Sequence, residues 1–192
     1  MICQAALQGK FEIASVVEPG AVAIGQNGTR PARIGCLKMP MSEPAGGNPC
    51  FGCGDANPRG MHLRFDRDEQ RRRIVGKFRP GPEYQGATGF IHGGIIATVL
   101  DEVMSKVSRF SNVRAVTAEL SIEYLRPIRV GDELTVEGFN TRCEGRQLYH
   151  EGEIRDAAGT LLARGRGRFV VVNPESFAQQ AAGNAVGNKE TR

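Results

Sequence analysis

IHGGIIATVLDEVMSKVSRF, residues 91–110, is the stretch on which the reading of this chain turns. Ile95, Ile96, Val99, Leu100, Val103, Met104 and Val107 recur at helical spacing. They predict a helix from Ile91 to Phe110 with one broad apolar stripe that must be covered. The opposite face holds Gly94, Ala97, Thr98, Asp101, Ser105 and Ser108. A solvated helix face normally carries Lys, Glu and Arg; this one is small and nearly uncharged, with one carboxylate in its middle. Small residues let another backbone or a ligand come close. The helix opens with His92-Gly93-Gly94. Free backbone N–H groups at a helix start attract negative charge, and glycine there admits a carbonyl oxygen, the geometry an oxyanion site needs. The plainer alternatives are a surface helix with a capping aspartate and a flexible entry turn.

On either side of this helix the period changes from helical to alternating. Met61 to Arg67 and Arg71 to Arg79 are strand candidates joined by a charged turn. Val113 to Arg126 alternates, with Val116, Ala118, Leu120, Ile122 and Tyr124 on one face and Thr117, Glu119, Ser121 and Glu123 on the other. Pro127 and Gly131-Asp132 close it. Glu133 to Arg142, Gln147 to Asp156 and Thr160 to Val172 follow, separated by turn signals at Glu144-Gly145 and Ala158-Gly159. One long helix among strands predicts an α+β domain, an antiparallel sheet with the helix on one face. This domain is assigned to residues 48–173. Residues 1–47, rich in Gly and Pro without sustained periodicity, are expected to be a poorly structured extension, with Met39 or Met41 as the natural start. Residues 174–192, polar and rich in small side chains, are expected to form a flexible tail.

Composition narrows the class. The 192 residues are 40% hydrophobic and 24% charged, the balance of a soluble globular protein. No run of 18 apolar residues suggests a membrane helix, and the N-terminus lacks a secretory pattern, so the cytoplasm is the default expectation. Five cysteines, an odd number, argue against a disulfide framework. A net charge of +4 suits an anionic ligand but is too small and scattered to imply nucleic acid. There is no Trp, and 6% aromatics make a base-stacking platform a poor fit.

Four further segments join the helix in a family resemblance. HGGIIATVLDE (92–102) resembles the central-helix motif of hotdog-fold acyl-CoA thioesterases of the PaaI-like and THEM4-like branches. CFGCGDANPRGMHLRF (50–65), YQGATGFIHGG (84–94), VTAELSIEYLRPIRVGDELTVEG (116–138) and GTLLARGRGRFVVV (159–172) resemble that family's lead-in, helix-entry loop, following strand and last strand. The resemblance spans Cys50 to Val172. It implies a hotdog fold, one long central helix wrapped by a curved antiparallel sheet of five to six strands. It also implies hydrolysis of an acyl- or aryl-CoA thioester without cofactor or metal. Asp101, nine positions after His92, takes the place of the family's general base or nucleophile. Gly93 matches the glycine whose N–H polarises the carbonyl, and Thr117, sixteen positions after Asp101, the threonine that assists in the THEM4-like branch. The PaaI-like branch has Asn six residues before the histidine; here that position is Gly86, so the chain is closer to the THEM4-like branch.

Helix geometry adds an expectation about assembly. Nine helical residues rise about 13 Å and make about two and a half turns, so His92 and Asp101 of one chain cannot hold one carbonyl. A shared site requires at least a homodimer, possibly a tetramer. Gly94, Phe90 and Thr98 are expected beside the substrate. Simple alternation places Thr117 on the strand face opposite the core, so it lines the site only if that face meets a partner.

Weaker signals carry plainer readings beside the functional ones. Cys50-x-x-Cys53 invites zinc, but a closed site needs four ligands and only Cys36 and His62 lie near in sequence, so no metal is expected. Arg164, Arg166 and Arg168 form a basic ladder on one strand face. That ladder suits coenzyme A phosphates, or is simply a solvated face. Two other functions compete: a catalytically silent acyl-CoA-binding regulator, and a hotdog dehydratase or hydratase. Residues 1–47 show no helix-turn-helix periodicity for the first, and the second pairs its His and acid at a longer spacing.

Overall fold

The computed structural model describes residues 47–173. The expectations for residues 1–46 and 174–192 lie outside the described residues. The elements in chain order are β1 (Asp66–Asp68), β2 (Arg73–Phe78), α1 (Gly93–Val107), β3 (Ala115–Tyr124), β4 (Leu134–Glu144), β5 (Gln147–Arg155) and β6 (Leu161–Val171). Short 3-10 turns occupy Pro82–Tyr84 and Ser108–Ser111. The strands form one six-stranded antiparallel sheet in the order β1-β2-β4-β5-β6-β3. Helix α1 lies on one face and packs against β2, β3, β4, β5 and β6. Among the described residues no helix is long and apolar enough to cross a membrane.

The helix stripe read from sequence is the core. Ile96, Val99, Leu100, Val103, Met104 and Val107 are buried, joined by Ile74, Ile128, Leu134, Val136, Leu148, Ile154, Leu162 and Phe169 from the sheet and its loops. The opposite face is not wholly open: Ser108 is buried, its hydroxyl donating to the Ser105 carbonyl. The helix is shorter than the stripe suggested. His92, in extended backbone, caps its start, and Asn112 in the left-handed region ends the turn that follows it.

The helix lies close to the sheet because the sheet has a row of glycines beneath it. Gly138, Gly152 and Gly165 are cross-strand neighbours on β4, β5 and β6. A Cβ at Gly138 would lie 2.8 Å from the Val103 carbonyl oxygen. At Gly152 it would lie 3.1 Å from Met104 Cγ, and at Gly165 3.0 Å from Met104 Cε. At Gly138 the clash is with helix backbone, so a side chain there would lift α1 off the sheet.

Two strand expectations need correction. Residues 61–65 alternate as expected, with Met61 and Leu63 buried, yet β1 begins only at Asp66. His62 adopts φ 52°, which breaks a ladder, and the Met61 and Leu63 N–H groups donate instead to Phe51 and Gly52 carbonyls. The second correction concerns β3. Its pairing with β6 runs Thr117 to Phe169 and then Glu119 to Arg168, leaving Ala118 as an extra residue. This bulge flips the alternation. Thr117, before it, shares the helix-facing side with Ile122 and Tyr124 after it, while Val116 faces away from the core and is 37% exposed.

Candidate active site

Helix α1 presents two polar groups, one at its start and one in its middle. At its start the His92 side chain is the N-cap: Nδ1 accepts from the Gly94 N–H at 2.9 Å. That bond leaves any ring proton on Nε2, free to donate outward. A Cβ at Gly94 would crowd Nδ1 at 3.0 Å, so glycine there permits the cap. The Gly93 N–H, next to it, donates to nothing among the described residues. It therefore combines an open donor with the positive end of the helix. The entry loop is fixed from outside. The His92 N–H donates to the Tyr84 carbonyl, the Ile91 N–H to the Ile128 carbonyl, and Phe90 bridges to Arg129. Phe90 remains 37% exposed beside this loop.

Gly86 lies directly against the histidine. A Cβ there would meet His92 Cα at 3.0 Å and its ring at 3.3 Å. An asparagine at this position, as in the PaaI-like branch, requires His92 to move. The departure noted from sequence therefore has a steric counterpart.

Further along α1, Asp101 is half-buried and accepts a 2.8 Å hydrogen bond from the Thr117 hydroxyl. Burial raises its carboxyl above the usual range; the Thr117 bond opposes that, the neighbouring Glu102 adds to it, and Lys106 opposes it. The bulge in β3 brings these two residues together, so Thr117 reaches Asp101 within one chain. The doubt raised by simple alternation is removed.

The other sequence candidates are distributed as follows. Thr98 is turned back on its own helix, its hydroxyl donating to the Gly94 carbonyl at 2.9 Å. Arg164 and Arg166 lie on the sheet face away from α1. Arg166 pairs with Glu123 at 2.6 Å and Glu151 at 3.5 Å, and Arg164 with Glu153 at 3.6 Å. Within one chain the structure does not bring them to Asp101 or His92. Sequence reasoning missed Tyr124 as a site residue. Its hydroxyl donates to the Gly93 carbonyl at 3.0 Å, tying the end of β3 to the start of α1. An aromatic on the helix-facing side, at the strand's last position, was the available signal. A cavity of about 310 Å³ lies elsewhere, lined by Arg72, Val107, Phe110, Asn140 and His150 among others, and contains none of the predicted site residues.

One helix lying across a six-stranded antiparallel sheet, with a histidine-capped open N-terminus and a half-buried carboxylate on it, is the hotdog architecture. Residues 88–163 match the family model of the thioesterase superfamily. The chain is 32% identical over 95 residues to the acyl-coenzyme A thioesterase THEM4 of Xenopus laevis, covering 50% of this chain and 43% of that protein. The chain thus spans about half the length of the curated relatives it matches. Among solved structures, a thioesterase superfamily protein superposes with TM-score 0.57 at 29% identity, covering 60% of this chain and 59% of that one. A Streptococcus mutans protein bound to acetyl-CoA shares the fold, with TM-score 0.54 at 20% identity over 58% of this chain and 89% of that one.

Proposed function

We propose that this chain hydrolyses acyl-CoA thioesters in a site shared by two copies. The observation that carries the proposal is the pairing of a raised, half-buried Asp101, held by Thr117, with an open Gly93 N–H at the histidine-capped start of the same helix. These are the two parts thioester hydrolysis needs: a base or nucleophile, and a donor for the developing oxyanion. Thiolate is a good leaving group, so polarising the carbonyl and supplying a base suffice in kind. In this mechanism the thioester oxygen accepts from the Gly93 N–H. His92 Nε2 orients the carbonyl or the departing sulfur. Asp101 takes a proton from water as water attacks, or attacks the carbonyl itself to give a mixed anhydride. The relatives' names and the acetyl-CoA bound by the Streptococcus mutans protein support acyl-CoA as the substrate class.

The two parts stand about nine residues apart on one helix, about 13 Å, so each site takes His92 and Gly93 from one copy and Asp101 from the other. Strand β3 supports this reading. It is the edge of the sheet and ten residues long, and Val116, Leu120 and Tyr124 on it and Leu125 beyond it are exposed. A long apolar edge strand is stable in water only when something covers it. A second copy satisfies that requirement.

Release of free thiol from a panel of aromatic, short-, medium- and long-chain acyl-CoAs tests the activity, with Asp101→Asn beside the native chain. Turnover that falls at least about 100-fold in the variant is expected. Equal turnover refutes the base assignment. Tight acyl-CoA binding without turnover makes the chain a binding module instead. A monomer in light scattering at micromolar concentration refutes the shared site.

A further inference from the structure

A second group of reactive side chains lies on α1, one residue past Asp101, and the proposed hydrolysis does not use it. Cys50 and Cys53 sit on a tight turn closed by the Gly54 N–H donating to the Cys50 carbonyl at 2.9 Å. Asn48 Oδ1 fixes the turn from outside by accepting the Cys50 N–H at 3.0 Å. The turn rests on the helix through its sulfurs. Cys50 Sγ donates to Glu102 Oε1 at 3.3 Å, and Lys106 Nζ donates to Cys53 Sγ at 2.8 Å. Lys106 and Glu102 pair with each other at 3.0 Å, with 16% and 13% of their side chains exposed. The two sulfurs and a Glu102 carboxylate oxygen lie within 4.8 Å of one another. The glycines of the turn are required for this approach. A Cβ at Gly52 would run into the Glu102 side chain, and one at Gly54 into the backbone of Asn48 and Cys50.

Three ligand atoms from Cys50, Cys53 and Glu102 suggest a metal, but a cation already stands against two of these residues. The Lys106 ammonium touches both Cys53 and Glu102, and a divalent ion would have to expel it. A closed structural zinc site also needs a fourth ligand, which the described residues do not supply here. What the cluster does supply is a proton acceptor beside one thiol and a positive charge beside the other. Those are the two groups that thiol–disulfide exchange needs.

We infer that Cys50 and Cys53 are a reversible dithiol–disulfide pair, oxidised by low-molecular-weight disulfides, with Glu102 as proton acceptor and Lys106 as counter-ion. Cys50 passes its proton to Glu102 and its sulfur attacks the incoming disulfide. One thiol leaves, taking up that proton, and a mixed disulfide remains on Cys50. Cys53, its developing thiolate facing the Lys106 ammonium, then attacks the Cys50 sulfur and expels the second thiol. The two cysteine sulfurs lose two electrons and two protons in all, and the small disulfide gains both as two thiols. The bond needs a sulfur separation of about 2.05 Å, which side-chain rotation supplies across so short a turn. Burial raises the Cys53 thiol, and the Lys106 ammonium beside it opposes that rise. Oxidation withdraws both sulfurs from Glu102 and Lys106. The exchange itself consumes no thioester, so it can be read without turnover.

The full chain is equilibrated with mixtures of oxidised and reduced glutathione, quenched in acid, alkylated and digested with trypsin. Peptide 39–59 carries Cys50 and Cys53 and no other cysteine. The expected product is that peptide with an internal disulfide and no alkylation, its ratio to the dithiol rising in proportion to oxidised glutathione and falling as the square of the reduced-glutathione concentration. Cys53→Ser should stop at a glutathione adduct on Cys50. Lys106→Gln should close the bridge about threefold more slowly, the loss of thiolate being partly offset by higher nucleophilicity, and Lys106→Arg should retain the rate. The inference is overturned if both cysteines remain alkylatable in the most oxidising mixture, or if the native chain stops at the adduct. It is also overturned if zinc alone, at equimolar amount, protects both thiols.

Discussion

Placing one methyl group at Gly138 tests how the sheet positions helix α1. In Gly138→Ala the new Cβ lies 2.8 Å from the Val103 carbonyl oxygen and 3.1 Å from its carbon. Ordinary contact begins at 3.4 Å, so the helix backbone must retreat about 0.6 Å. Overpacking of this kind costs about 1–3 kcal/mol. Restricting the unfolded chain offsets about 0.4–1 kcal/mol of it. The net loss is about 1–2 kcal/mol, a fall in Tm of about 4–8 °C for a domain of this size. Gly152→Ala is the internal control. Its Cβ meets only side-chain atoms, Met104 Cγ at 3.1 Å and Leu100 Cδ2 at 3.2 Å, which can rotate away. Its Tm should stay within about 4 °C of the native chain. Val103 is two residues beyond Asp101, so the same displacement pulls the carboxylate from Thr117. Misplacement by about 1 Å costs about 100-fold in rate, and about half that shift should cost about tenfold in kcat/KM. Differential scanning calorimetry and thiol release, both on the full chain, read the two effects. A Gly138→Ala protein as stable as the native chain, or more stable than Gly152→Ala, refutes the claim that the glycine row sets the helix height.

Three further outcomes follow from the geometry. In Thr117→Ala the hydroxyl that lowers the Asp101 carboxyl is lost, so the acid limb of the pH–rate profile moves to higher pH, with recovery in Thr117→Ser; an unmoved limb separates Thr117 from the base. Tyr124→Phe removes one neutral hydrogen bond to the Gly93 carbonyl and should lower kcat/KM about fivefold without loss of the dimer, measured by thiol release and light scattering; an unchanged rate removes Tyr124 from the site. Burial holds the His150 imidazole, whose Nδ1–H donates to the Met104 carbonyl and whose ring stacks on Phe169, down to about 4 from 6.5. A depressed folded value means stability present above pH 6.5 and lost as pH falls toward 4, about 3 kcal/mol in all. Asp101, raised by burial, works in the opposite sense and offsets part of that loss. Thermal melts from pH 7 to 4 should therefore fall less steeply in His150→Gln than in the native chain; parallel melts exclude His150 as the source.

Much of the fold was legible because it rests on local periodicity. The stripe from Ile96 to Val107 could only be a buried helix face, and the alternating segments around it could only be strands of an antiparallel sheet. Asp101, isolated on a face of small residues, and the His92-Gly93-Gly94 start drew attention for the same reason: residue types that violate the ordinary surface pattern. The family resemblance then attached roles to them.

The remainder depended on contacts between segments distant in sequence. One extra residue at Ala118 reverses which side of β3 faces the helix, and alternation counted along the strand cannot register it; only the pairing with β6 fixes Thr117 against Asp101. The sequence contains Gly138, Gly152 and Gly165 as scattered glycines, and strand register makes them one row beneath α1. Cys50 and Cys53 are about fifty residues from Glu102 and Lys106, and their chemistry exists only where the turn meets the helix. In the sequence the guanidinium ladder of Arg164 and Arg166 suits either coenzyme A phosphates or a solvated face, and its partners Glu123, Glu151 and Glu153 come only from neighbouring strands. Periodicity is a property of one segment and survives in the sequence. Register, steric fit and charge pairing are properties of two segments, and they come into being only when the chain has folded.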